Sequence, residues 1–132
     1  MTVRRVIVDH VDILVADLEA SVRFYEAALT PLGFTLTDYD AEEGHAGFGV
    51  DGLDDFGINR LGPDDSPTTF AHIAFVAESC EAVDAFYEAA LAAGGTSKIP
   101  PALHPEYHAT YYGAFVWDLH HNNIEAVYHG RD

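Results

Sequence analysis

Two histidines, His10 and His72, stand 62 residues apart, and related text follows each. Aligned without gaps, residues 10–29 and 72–91 share 9 of 20 positions, where unrelated segments would share roughly one or two. The hexapeptide FYEAAL closes both copies. The chain therefore reads as internally duplicated, with one imidazole ahead of each copy's helix. Neutral imidazole is a ready metal ligand. A lone histidine beside a strand is ordinarily just a hydrogen-bonded polar residue, but two kept at one offset are not independent accidents. A third donor, Glu125, lies near the C-terminus. Two imidazoles and one carboxylate are the donors of a facial triad, which leaves coordination positions open for a substrate.

The elements that must position these groups follow from periodicity. Residues 6–15 alternate as a strand, with Val11, Ile13 and Val15 on one face and His10, Asp12 and Leu14 on the other. Asp17 caps a helix over residues 18–29, which Pro31 and Gly33 stop. Strands are expected at residues 34–39, 46–50 and 56–61, and GPDDSP at residues 62–67 reads as a linker. The second half repeats the order. Residues 69–77 form a strand with Ile73 and Phe75 opposite His72, Ala74 and Val76. Ser79 caps a helix over residues 80–93, and Gly94 and Gly95 stop it. A weak strand at 96–99 leads into the proline-rich loop PPALHPEYH. Residues 111–118 and 123–129 close the half as a hairpin, through a turn, LHHN, that lacks the usual glycine.

The expected fold class is α+β: one domain of two βαβββ modules, about residues 4–62 and 68–130, helices outside, its strands curving as a mixed sheet around a shared cleft. A four-stranded sheet with one helix on one face leaves its other face open, and a shared cleft solves this for both halves. FYEAAL is then a packing motif used twice. On the last strand Ile124, Ala126 and Tyr128 pack backwards, leaving Glu125 and Val127 on the cleft face beside His10 and His72.

The net charge of −16, with Lys98 the one lysine among six cations, disfavours phosphate backbones and anionic lipid. No nucleic-acid or membrane partner is expected. No apolar run approaches the ~20 residues of a membrane span, and the N-terminus has no signal-peptide pattern, so a cytoplasmic location is the default. The single cysteine, Cys80, excludes an internal disulfide and a cysteine-rich zinc site. His104, Tyr107, Tyr111, Tyr112 and Trp117 are candidates to shape a pocket for a planar or apolar substrate.

The repeat, DHVDILVADLEASVRFYEAAL, HIAFVAESCEAVDAFYEAAL and the closing NNIEAVYH resemble the vicinal oxygen chelate superfamily, which includes glyoxalase I, extradiol dioxygenases, and fosfomycin and bleomycin resistance proteins. The resemblance implies paired modules, commonly in a homodimer, and one divalent metal ion (zinc, iron, manganese, nickel or cobalt) on residues matching His10, His72 and Glu125. Glyoxalase I-like members carry a further acid on the last strand of the first module. The matching stretch here, about residues 57–59, has none. The hairpin HATYYGAFVWDLHHNNIE resembles the extradiol pattern in its spacing from His108 through Asp118 to Glu125, with Phe115 in place of a tyrosine. It implies His108 as an acid/base beside the metal, with Glu125 as the other candidate base. The implied activity is Lewis acid catalysis on a small substrate with adjacent oxygens, of lyase, isomerase or dioxygenase type. Two alternatives stay open: a metal-free protein that sequesters a small molecule, as bleomycin resistance proteins do, and a partner-binding domain without a small ligand.

Overall fold

The computed structural model describes residues 7–130. Its elements run β1 (Val11–Val15), α1 (Leu18–Leu29), β2 (Thr35–Asp40), β3 (His45–Gly49), β4 (Phe56–Arg60), β5 (His72–Val76), α2 (Cys80–Ala92), β6 (Thr96–Leu103), β7 (Tyr112–Trp117) and β8 (Asn123–Tyr128). This is βαβββ written twice, an α+β fold. The strands form two four-stranded mixed sheets, ordered β1-β4-β3-β2 and β5-β8-β7-β6. In each, the first strand pairs in parallel with the last, because the helix that follows it carries the chain across the sheet.

Local chemistry sets the boundaries. The Asp17 carboxylate accepts from the Ala20 amide at 3.1 Å and the Ser79 hydroxyl from the Ala82 amide at 3.0 Å, each satisfying one free donor at a helix start. After α1 a single 3-10 turn through Pro31 ends at Gly33, whose φ of 87° a side chain would oppose. β1 begins at Val11; residue 6, expected in that strand, lies outside the described residues.

Two elements differ from expectation. The weak strand at 96–99 runs on to Leu103, through Pro100 and Pro101. β6 is the last strand of its sheet, so it needs no amide donors on its outer side, and its register slips between Ile99 and Ala102, where the prolines fall. The glycine-free turn closes through Asp118. One carboxylate oxygen accepts from the amides of His120 and Asn122 at 2.9 and 2.8 Å, and His121 takes a left-handed φ of 65°. The His121 ring stacks on Trp117 with centroids 3.9 Å apart.

The repeated hexapeptide packs as a core face in both copies, though unequally. Phe24, Tyr25, Ala28 and Leu29 of α1 are all buried, whereas in α2 Phe86 and Ala90 are buried and Tyr87 and Leu91 lie only partly so. The first module, α1 included, also packs against the second. Phe75 of β5 meets Phe56 edge-on at 5.3 Å, and Tyr25 donates a hydrogen bond to Asp118. Thr68 clips onto β1 at Leu14: its hydroxyl accepts from the Leu14 amide and its own amide donates to the Leu14 carbonyl, each at 2.9 Å. One hydrophobic cluster therefore spans both modules, while β1 and β5 remain end strands of separate ladders.

Candidate metal centre

Strand parity puts His72 on the open face of the second sheet, since Ile73 and Phe75 point into the core. The parallel register sets Ala74 beside Glu125, and the antiparallel one sets Phe115 on its other side. Glu125 thus stands mid-sheet on the same face as His72. Its side chain is 1% exposed, and Oε1 lies 2.8 Å from Nε2 of His72. The other oxygen accepts from the Tyr111 hydroxyl. Gly113 beneath leaves room, since a Cβ there would come within 3.3 Å of Oε2.

This carboxylate is buried, yet no lysine or arginine pairs with it among the described residues. Lys98 instead lies over the rings of Phe115 and Trp117. A buried carboxylate without a full cationic partner costs several kcal/mol of lost hydration. A divalent cation would offset that cost. The donors suit one: an imidazole nitrogen and a carboxylate oxygen at hydrogen-bonding distance, 2.8 Å, need to part by only a few tenths of an ångström to become neighbouring ligands about 2.1 Å from a shared ion. His72 is 53% exposed on its side chain, so the open positions face solvent.

His10 precedes β1 and is 58% exposed, with Nδ1 bonded to Asp9 at 2.8 Å. That hydrogen bond, followed by the charge of Asp12, raises its pKa. It does not join His72 and Glu125 within the chain. Among the described residues, the one trio of ligating side chains with all donor atoms within 4.8 Å is Asp38, His45 and Asp54, on the first sheet. There His45 Nε2 stands 3.6 and 4.0 Å from Asp38 and Asp54, and Nδ1 is held by Asn59 at 2.7 Å. The sequence does not announce this trio, because its members come from three separate segments.

Tyr111 links His108 to Glu125. Nε2 of His108 is 2.9 Å from Nδ1 of His129, with the two rings stacked. The Tyr111 ring packs edge-on against both and delivers its hydroxyl to Glu125. Burial, then the bond to Glu125, raises the Tyr111 pKa, so it stays a donor. The sequence presents Tyr111 only as a pocket wall, although its parity with Gly113 and Phe115 already sets it on this face. His104, another expected pocket wall, is buried against Tyr111 and Phe115, its Nε2 without a partner among the described residues. A ligand polar group at that wall would satisfy it.

Two βαβββ modules with an imidazole–carboxylate pair on an open sheet face define a class of duplicated α+β proteins. The chain belongs to the Glyoxalase/Bleomycin resistance protein/Dioxygenase superfamily, whose model matches residues 7–126. A glyoxalase/bleomycin resistance protein from Albidiferax ferrireducens T118 is 30% identical, with a TM-score of 0.81 over 91% of this chain and 97% of that one. The fosfomycin resistance protein FosX of Listeria monocytogenes, as a glutamate-to-glutamine mutant complexed with Mn(II) and 1S,2S-dihydroxypropylphosphonic acid, is 21% identical, with a TM-score of 0.64 over 94% and 89% of the two chains. Glyoxalase I of Zea mays, also as a glutamate-to-glutamine mutant, is 22% identical, with a TM-score of 0.68 over 91% of this chain and 46% of that one. No curated protein matches.

Proposed function

We propose that the chain is a metal-dependent enzyme of the cytoplasm acting on a small substrate with adjacent oxygens, by lyase, isomerase or dioxygenase chemistry. One divalent ion (zinc, iron, manganese, nickel or cobalt) is held by His10, His72 and Glu125. The observation that carries this reading is the Glu125 carboxylate, buried without a lysine or arginine among the described residues and set 2.8 Å from an open-faced imidazole. His10 comes from a second copy of the chain, in a homodimer. Supporting this, its ring is turned to solvent, β1 and β5 are both end strands of their sheets, and exposed Val8, Val11, Leu53 and Val76 rim an open groove of about 440 Å³ between those edges.

When bound, the ion supplies Lewis acidity, stabilising negative charge that develops on substrate oxygen. The chain's residues supply the rest. Tyr111 fixes the Glu125 carboxylate by donating to one oxygen, which directs the other toward His72. His108 is the acid/base group beside the metal, its ring oriented by His129 at Nε2 and by the Thr110 amide at Nδ1. Glu125 is the alternative base. Phe115, Tyr107 and the His104 ring line the space beside these groups.

Metal analysis of protein purified without a histidine tag tests the reading. One ion per chain is expected. Glu125→Gln should lower that content with an unchanged circular dichroism spectrum, because a neutral amide is a poor ligand for a hard cation. His45→Ala should leave it intact; loss with His45 rather than His72 would place the ion on the Asp38 trio. Protein that takes up no metal at all, yet binds a small molecule, would be a sequestering protein. His108→Ala should keep the metal and lower turnover.

A further inference from the structure

The duplication can be followed rung by rung. The offset of 62 carries His10 to His72 and Asp12 to Ala74. On β1 and β4 the register pairs Asp12 with Gly57; on β5 and β8 it pairs Ala74 with Glu125. The rung two residues past each histidine therefore holds one carboxylate and one residue without a reaching side chain, but the two are exchanged. Module 2 carries its acid on the last strand. Module 1 carries it on the first.

The space is exchanged along with the residue. A Cβ built on Gly57 would collide with Oδ1 of Asp12, so the Asp12 carboxylate fills the volume above Gly57 that a side chain there would occupy. Asp12 lies on the same face of β1 as His10, opposite the buried Ile13 and Val15. Their Cα atoms are roughly 6.8 Å apart along the strand, a gap that the two side chains and two metal bonds of about 2.1 Å readily close.

We infer that Asp12 is a metal ligand, the counterpart of Glu125 delivered from β1, so that the centre is built from two imidazole–carboxylate pairs, His10 with Asp12 and His72 with Glu125. The acid sought near residues 57–59 is present in space although absent from that strand. This inference rests on the metal reading above.

Manganese(II) titration followed by electron paramagnetic resonance tests it, with chelator-treated protein and no substrate. Asp12→Asn, at an exposed position where folding is not at risk, should weaken Mn(II) binding by at least about tenfold, since even a group that only orients a ligand from behind is worth that much. Asp12→Ala should do the same. The double variant Asp12→Ala/Gly57→Glu should regain most of the affinity, because removing Asp12 frees the space and the new carboxylate enters from β4. Full affinity in Asp12→Asn, with Glu125→Gln still impaired, would overturn the inference and leave the metal centre standing. A loss in Asp12→Ala that Gly57→Glu does not reverse would overturn it too. Wild-type protein that binds no Mn(II) would bring down both.

Discussion

Tyr25 and Tyr111 are phenols held protonated by their surroundings. Burial comes first and a carboxylate partner second, Asp118 for one and Glu125 for the other, and both pKa values lie above the usual value of 10. Tyr112, bonded to Asp84, is pushed up to about 12. The sign for stability follows. A folded-state pKa raised above the unfolded one gives stabilisation that is complete below the unfolded pKa of about 10 and is lost as pH rises toward the folded value. Urea midpoints should therefore hold level up to about pH 9.5 and fall above it. Absorbance at about 295 nm, where phenolate absorbs, should show these three of the seven tyrosines ionising after the rest or together with unfolding. Early titration of all seven would contradict the hydrogen bonds described. At this scale the sequence was readable where parity decides: His72, Glu125 and Val127 fall on the expected face because side chains alternate with a period of two. Parity does not say what lies across the next strand. Parity sets Asp12 on the face of His10 but does not pair it with Gly57, and it shows Tyr111 as an aromatic rather than a donor.

Among the elements, the turn between β7 and β8 carries the most for its size. The Asp118 carboxylate serves two backbone amides, the Asn122 side chain and the Tyr25 hydroxyl. Asp118→Ala leaves those donors without an acceptor in a buried place, at about 1–3 kcal/mol for each that water does not reach. A loss of roughly 3 kcal/mol is expected in chemical denaturation, with the hairpin frayed in amide exchange. A change under about 0.5 kcal/mol, typical of a surface site, would show that water replaces the carboxylate. The helices and their caps were legible because Asp17, Ser79, Pro31 and Gly94 act on their own neighbours. The extension of β6 through two prolines was not. Its pairing depends on Phe115 and Gly113 lying alongside, a relation between distant residues that local propensity does not carry.

For the whole molecule, the crossing of His10 between subunits makes a prediction about mixed variants. If it crosses between subunits, His10→Ala and His72→Ala proteins are each unable to form a centre. Mixed and allowed to exchange, they give heterodimers in which one of the two centres has both histidines. Statistical exchange should restore about a quarter of the wild-type metal content. A centre closed within one chain would regain nothing, whatever the mixing. Raised salt should favour reassembly after mixing, because two partners of charge −16 repel each other until the ions screen them.

The continuous hydrophobic cluster has a further consequence. The stretch at residues 62–67 is the natural place to cut this protein, since it is largely exposed and its Gly62 amide is bonded only within the loop, to Asp65. A cut there leaves two βαβββ halves, but neither is a finished object: one keeps Phe56 and Tyr25 without Phe75 and Asp118, the other the reverse. Co-expressed as residues 1–64 and 65–132, the halves should find each other and melt in one transition, whereas either alone should be insoluble or unfolded. The duplication that is so plain in the letters has become a molecule in which a single copy no longer stands.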